Sequence, residues 1–361
     1  MSSSADHEYM ARALRLAEYG LYTTTPNPRV ACVIVKDGCI VGEGWHQRAG
    51  AAHAELNALR AAGSAAAGAT AYVTLEPCSH HGRTPPCADA LIDAGVARVV
   101  AAMEDPNPQV AGSGLKRLRD AGIVVDCGLL ADAARELNIG FVARMTRARP
   151  WLRLKLAASL DGRTALANGL SQWITGPAAR RDGHYWRARA CAILTGIGTV
   201  RDDNPQLNVR LVESSRQPLK VVVDSRLDLA PDARLLDGGR VLVACAVDDA
   251  VRARMLRDRG AETVFLPGAG GKVDLAALMA ELARRGINEV HAEAGVKLNG
   301  SLLTADVVDE LLIYLAPSLL GEAARGMFKL PVLESLDGRR LLRFSDVRLV
   351  GSDLRLLVRP V

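Results

Sequence analysis

The sequence predicts an α/β protein of two domains, and three observations carry that prediction. The chain has 361 residues, 49% of them hydrophobic and 24% charged, which is enough for two cores of ordinary size. Strand-like apolar runs alternate with stretches of helical spacing, the pattern of a sheet covered by helices. The alternation breaks at "TRARP" and restarts at "WLRLKL", placing a boundary near Arg149 between a first domain over residues 1–148 and a second over 149–361.

The elements follow in order. "HEYMARALRLAEYG" puts Met10, Ala13, Leu14 and Ala17 on one helical face and stops at Gly20. "VACVIVKDGCIVGEG" reads as two strands around Lys36-Asp37-Gly38, a hairpin signal. A helix from His53, a strand at "ATAYVTLEP", a helix from Cys87 to Asp93 and a strand at "ARVVAAM" come next. A helix near "LKRLRDAG", a strand at "IVVDCG" and one helix through "DAARELNIGFVARM" complete the first domain.

The second domain opens with the strand of "WLRLKLAASLDGRTA" and a helix over "PAARRDGHYWRARA". Strands follow at "CAILTG", "PLKVVVDS" and "VLVACAV", then a helix over "DDAVRARMLRDRG" and a strand at "ETVFLPG". A helix over "DLAALMAELARRG" leads to a strand at "NEVHAEAG", to "DELLIYLAPSLLG" and to the strand pair "SDVRLVGSDLRLLV". No fixed-period repeat joins the two halves.

Composition narrows the function classes. The N-terminus "MSSSADHEYM" lacks the basic and apolar regions of a secretory signal, and no long apolar run suggests a membrane span, so a soluble cytoplasmic protein is expected. Seven scattered cysteines argue for reduced thiols, so a special cysteine should be a ligand or nucleophile. Residues 1–148 hold 14 Lys and Arg against 15 Asp and Glu, and residues 149–361 hold 31 against 25. Only the second half is basic, as a site for phosphorylated ligands would be, although an ordinary solvated surface explains the excess equally well.

The strongest chemical signal is "HAE", His53 to Glu55, followed by "EPCSHHGRTPPC", Glu76 to Cys87. A catalytic zinc commonly takes three protein ligands and leaves one position to water. His53, Cys78 and Cys87 supply that set, and Glu55 stands close enough to handle the water's proton. The arrangement is the H-x-E and P-C-x-x-C signature of zinc deaminases with eight residues, not two, between the cysteines. The intervening "SHHGRTPP" brings His80, His81 and Arg83 near the metal, where they could read a phosphate. A structural zinc with His80 or His81 as fourth ligand is the competing reading.

"TTTPNPRVACVIVKDGCIVGEGWHQRAGAAHAE", "ATAYVTLEPCSHHGRTPPCADALI" and "DPNPQVAGSG", with "LKLAASLDGRTA", "SQWITG" and "EAGVKLNGSLL" later on, resemble the bifunctional deaminase-reductase family of riboflavin biosynthesis over nearly the whole chain. The resemblance implies a cytidine-deaminase-like α/β/α sandwich followed by a dihydrofolate-reductase-like α/β domain. It implies that His53, Cys78 and Cys87 bind one zinc, that Glu55 shuttles protons, and that Asn27, His46, His80 and Arg83 face substrate. Arg29 and Ala31 depart from it, standing where the family usually shows a small or polar residue and a glycine.

In the second domain, "EAGVKLNGS" reads as a strand-to-helix turn before "SLLTA" whose amides could cradle phosphates, and "GTVRDDNPQLNVR" reads as a polar loop. By resemblance, Ala157, Trp173, Thr199, Asp203 and Ser225 line an NADPH site together with Gly295, Val296, Lys297, Leu298, Asn299, Gly300 and Ser301. Ser171, Arg187, Leu207, Arg210 and Glu293 then face substrate, with Lys155 as a polar participant. The implied chemistry is hydrolytic deamination, by a zinc-activated hydroxide, of 2,5-diamino-6-(5-phosphoribosylamino)pyrimidin-4(3H)-one. NADPH reduction of the ribosyl group of 5-amino-6-(5-phosphoribosylamino)uracil to ribityl follows.

The expected partners are a small phosphorylated pyrimidine and further copies of the chain, with neither nucleic acid nor membrane. A nucleic-acid base deaminase would show C-x-x-C spacing and a basic, aromatic surface, and the wide cysteine spacing and 4% aromatic content weigh against it.

Overall fold

The computed structural model describes residues 3–79, 85–108 and 110–361. It divides into two compact units, Met1–Ala148 and Arg149–Val361.

The first unit runs α1 (Ser4–Ala17), β1 (Ala31–Lys36), β2 (Cys39–Trp45), α2 (Ala54–Ala62), β3 (Thr70–Val73), α3 (Cys87–Asp93), β4 (Arg98–Ala101), α4 (Ser113–Asp120), β5 (Val124–Cys127), α5 (Ala131–Leu137) and α6 (Ile139–Arg147). Among the described residues its sheet has the order β2-β1-β3-β4-β5. β1 is antiparallel to both β2 and β3, and β3, β4 and β5 are parallel. Alternate residues of β1 feed opposite faces. Cys32 and Ile34 pack with α2, α3 and α4, whereas Val33 and Val35 pack with Met10, Ala13 and Phe141 on the other side. The result is the expected α/β/α sandwich.

Two local features set the position of the site. Gly42 and Gly44 of β2 let the backbone of α2 lie directly on the strand, since a Cβ at Gly44 would fall 2.4 Å from the Ala58 nitrogen. The helix answers with Ala54, Ala58 and Ala62 along its inner face, all buried. The second feature is a break where one helix is expected. Asn138 separates α5 from α6 because its side-chain amide pairs with the backbone of Arg29, accepting at 2.7 Å and donating at 2.9 Å. The Arg29 guanidinium also donates to the Leu137 carbonyl at 2.6 Å, capping the end of α5. Arg29 is thus a buried clamp, and Ala31 fits its methyl into a cluster with Leu16 and Ala17.

The second unit runs β6 (Trp151–Ser159), β7 (Arg163–Ala165), α7 (Pro177–Arg189), β8 (Ala192–Gly196), α8 (Ile197–Asp203), β9 (Leu219–Val223), β10 (Val241–Cys245), α9 (Ala250–Asp258), β11 (Ala261–Phe265) and α10 (Leu275–Arg284). It continues through β12 (Glu289–Ala292), α11 (Val296–Thr304), β13 (Glu310–Ala316), β14 (Arg325–Gly326), β15 (Leu342–Val350) and β16 (Asp353–Pro360). Among the described residues the main sheet has the order β11-β10-β9-β8-β12-β6-β13-β16-β15, and β7 pairs with β14 in a small second sheet. The strands from β11 to β13 are parallel, and β16 and β15 close the edge antiparallel.

Two segments differ from expectation. The polar stretch after β8 is helical as α8, beginning at Ile197 straight after the strand. The segment Gly295 to Ser301 is not an extended turn, because α11 starts at Val296 with Gly295 as its N-cap. Gly300 therefore serves packing: a Cβ there would lie 1.9 Å from the Lys329 carbonyl oxygen.

Candidate active sites

In the first unit, three elements bring the predicted ligands together. His53 is the N-cap of α2, Cys87 is the first residue of α3, and Cys78 lies on the segment after β3. The His53 Nδ1 is 3.6 Å from the Cys78 Sγ and 3.3 Å from the Cys87 Sγ, and all three donor atoms lie within 4.8 Å of one another. A tetrahedral zinc with ordinary Zn–S and Zn–N bonds spaces its ligand atoms by roughly 3.4–3.8 Å, so this donor set fits zinc and leaves a fourth position.

The thiols prepare for a cation. The Cys87 thiol and backbone N–H, with His53, hold Cys78 down to about 4, while hydrogen bonding to Cys78 and burial push Cys87 up. A bound metal would take both sulfurs as thiolates. Glu55, in the first turn of α2, is only 3% exposed, and burial pushes its carboxyl up to about 7. A carboxylate in that range can accept and return a proton near neutral pH.

Asn27 and His46 join the same site. The His46 ring stands edge-on to His53 with centroids 5.5 Å apart. Its Nδ1 lies 3.1 Å from the Ala52 carbonyl oxygen, which can only accept, so Nδ1 carries the proton. Burial disfavours the charged ring, and the bare Nε2 therefore accepts from the Asn27 amide at 3.1 Å. His80 and Arg83, and His81 with them, lie outside the described residues.

Sequence reasoning missed Glu76. This buried carboxylate, two residues before Cys78, accepts from the backbone N–H of Asp105 (3.0 Å), Gly112 (2.9 Å), Gly114 (2.7 Å) and Leu115 (3.3 Å). It caps α4 from a distance and ties that helix to the cysteine segment, helped by a Ser79 to Ser113 hydroxyl bond of 2.7 Å. Nothing local in "TLEPC" signals contacts 29 to 39 residues away.

In the second unit a cleft of about 310 Å³ opens among β6, α7, α8 and α11. Lys155, Ala157, Ser171, Trp173, Thr199, Asp203, Glu293, Gly295, Val296 and Asn299 line it. Arg187 lies behind the wall in a bidentate pair with Glu293, with Nη2 to Oε2 at 2.9 Å. Burial opposes the charge of Glu293, yet Arg187 holds its carboxyl well below the usual range.

Arg210 is near this pair and gives its backbone N–H to the Nδ1 of His184 at 3.2 Å. Leu207 is buried, Ser225 Oγ accepts from the Val273 N–H at 3.2 Å, and the Ser301 hydroxyl bonds within its own helix. Lys297, Leu298, Gly300, Ser301, Ser225, Leu207, Arg187 and Arg210 are not among the cleft's lining residues. Arg180, Arg325, Thr164, Gln172 and Thr175 also line it; Thr164, Gln172 and Thr175 stand inside the quoted motifs but were given no role there, and neither Arg180 nor Arg325 lies in one.

Comparison with known proteins finds relatives for both halves of the chain. The cytidine and deoxycytidylate deaminase zinc-binding region matches residues 3–103, and the RibD C-terminal domain matches residues 150–356. The chain is 52% identical to riboflavin biosynthesis protein RibD of Escherichia coli, over 97% of this chain and 98% of that protein. It is 49% identical to the Haemophilus influenzae protein of the same name, over 99% and 98%. Among solved structures, RibD of Acinetobacter baumannii superposes with a TM-score of 0.91 at 44% identity, covering 99% of both chains. A Thermotoga maritima diaminohydroxyphosphoribosylaminopyrimidine deaminase/5-amino-6-(5-phosphoribosylamino)uracil reductase gives 0.89 at 33% identity, again over 99% of both.

Proposed function

The chain belongs to the bifunctional deaminase-reductase family of riboflavin biosynthesis, and we propose on that premise how its residues divide the work. It is a zinc-dependent deaminase and a nicotinamide-dependent reductase in one polypeptide. The first reaction hydrolyses the 2-amino group of 2,5-diamino-6-(5-phosphoribosylamino)pyrimidin-4(3H)-one. The second reduces the ribosyl group of the resulting uracil to ribityl.

His53, Cys78 and Cys87 hold the zinc, and Glu55 moves the protons. Zinc, when bound, lowers the pKa of a water and so supplies a nucleophile near neutral pH. Glu55 takes the proton of that water, gives it to the ring nitrogen, and serves again as ammonia leaves. Neutral His46 fixes the Asn27 amide as a donor toward itself, which leaves the amide oxygen as an acceptor for substrate. His80 and Arg83 are the remaining substrate-facing candidates.

In the second unit NADPH is the cofactor. Ala157, Trp173, Thr199, Asp203, Ser225 and the segment Gly295 to Ser301, with Val296, Lys297, Leu298, Asn299 and Gly300, form its site. Ser171, Lys155, Glu293, Arg187, Leu207 and Arg210 hold the substrate. The cofactor supplies hydride to C1′, and the protein contributes alignment and a dry, charged wall. The Arg187 fork keeps Glu293 ionised beside Lys155, giving the opening sugar both an acceptor and a donor.

The protein works in the cytoplasm, in keeping with its seven free cysteines. Among the described residues no helix is long and apolar enough to cross a membrane. It assembles with further copies of itself through β15, an edge strand that exposes Phe344, Val347 and Leu349.

One observation carries the deaminase assignment: an imidazole and two sulfurs at zinc-ligand spacing beside a buried carboxylate. Glu55→Gln tests it. Zinc stays at one per chain, deamination falls at least about 10²- to 10⁴-fold, and NADPH oxidation on deaminated substrate is retained. Full deaminase activity in this variant would refute the role of Glu55.

A further inference from the structure

Three cations line the cleft of the second unit, Lys155, Arg180 and Arg325, and of these only Arg180 makes a side-chain hydrogen bond among the described residues. Lys155 lies in the field of Glu293. Arg180 donates to the Thr175 carbonyl at 2.6 Å and stacks on the Trp173 ring at 4.6 Å. Among the described residues the guanidinium of Arg325 makes neither a hydrogen bond nor an ion pair, although Gly169 approaches so closely that a Cβ there would lie 3.3 Å from it.

The backbone that carries Arg325 is pinned. β14 pairs with β7, and the chain then runs along the first turns of α11. The Lys329 N–H donates to the Val296 carbonyl at 3.0 Å, and the Met327 carbonyl accepts from the Asn299 amide at 3.2 Å. The first turn of α11 has no side-chain cap, so its N–H groups are open to a ligand. Asn299, 2% exposed and lining the cleft, keeps its Oδ1 buried without a partner. A cation and uncapped amides suit phosphate oxygens, and a lone acceptor suits a sugar hydroxyl.

We infer that Arg325 is a specificity-determining residue that binds a phosphate group of the sugar phosphate occupying this cleft, acting with the amino end of α11. The inference rests on the reductase reading above and adds to it a residue that neither motif nor resemblance marks. The phosphate has two available sources, the dinucleotide and the phosphoribosylamino substrate. Either one offers phosphate oxygens that a planar guanidinium can bind with two parallel bonds.

Arg325→Gln and Arg325→Lys in the full chain test it, with calorimetric titration of NADP+ and inorganic pyrophosphate beside steady-state kinetics. The Gln variant should weaken one phosphate ligand about 10- to 100-fold, with kcat within twofold and deamination unchanged. The Lys variant should recover part of the loss, because it restores charge but not the fork. A rise confined to the KM of NADPH, with weaker NADP+ binding, assigns the dinucleotide. A rise confined to the KM of the ribosylamino substrate assigns the substrate phosphate.

Unchanged binding and KM for both ligands, or an equal loss with a ligand stripped of its phosphate, overturns the proposal. If the wild-type chain oxidises no NADPH, the reductase reading fails by itself. Pyrophosphate then still decides the point: weaker binding in the Gln variant supports Arg325, and equal binding overturns it.

Discussion

Gly44→Ala is a one-methyl test of how the deaminase site is positioned. A Cβ at this residue would sit 2.4 Å from the Ala58 nitrogen and 2.5 Å from the Ala54 carbonyl oxygen, both backbone atoms of α2. Ordinary contact begins at 3.4 Å, so the helix must lift by about 1 Å. Its amino end carries His53 and Glu55, whereas Cys78 and Cys87 come from other elements and stay behind.

Overpacking of this kind costs about 1–3 kcal/mol of stability, and a misplacement near 1 Å costs on the order of 10²-fold in rate. The assay is ammonia release by the full chain, with NADPH oxidation on already deaminated substrate as internal control. The expected result is a roughly 100-fold loss of deamination with reduction within twofold of wild type. Deamination within twofold of wild type would refute the claim that this contact sets Glu55. Equal loss of both activities would make the effect global.

Other outcomes follow from the same geometry. Cys87→Ser should drop zinc content well below one per chain, as measured by metal analysis after dialysis, and an unchanged content removes Cys87 from the ligand set. Glu76→Gln replaces an anionic acceptor of four backbone N–H groups with an amide that can satisfy only part of them. Zinc affinity or deamination should fall about 10- to 100-fold while reduction persists; a lower melting temperature with unchanged zinc affinity would leave Glu76 merely structural.

His184 should give the second unit a pH-dependent stability. Burial, then Arg187 and Arg210, lower its pKa to about 4, against roughly 6.5 in the unfolded chain. The unfolded chain therefore binds the proton first, so stability falls as pH drops from about 6.5 to about 4 and is unaffected by this group above that window. Denaturant unfolding followed by tryptophan fluorescence should show the slope, and His184→Gln should flatten it.

Much of the fold was legible because the apolar periodicity is local. β1, whose alternate residues feed two cores, and α3, which begins at Cys87, both follow from patterns a few residues long. The candidate metal cluster of His53, Cys78 and Cys87 was legible for a related reason, since few residue types bind zinc and these stand in short motifs. What escaped depends on distant partners. The break at Asn138 exists because of Arg29, more than a hundred residues away in sequence. The helix at Ile197 was obscured by its acidic end, Asp202-Asp203-Asn204, which reads as a solvated loop. Arg325 carries no local signal at all, and only the pairing of β14 with β7 brings it to the cleft.

The most direct test of two chemistries in one chain is a paired assay on the purified protein at known zinc content. The diaminopyrimidinone ribosyl phosphate is supplied first without cofactor and then with NADPH. Ammonia should appear in the first stage, and NADPH oxidation only after deaminated product has formed. NADPH oxidation without prior ammonia release, or no ammonia from protein holding one zinc per chain, would contradict the account.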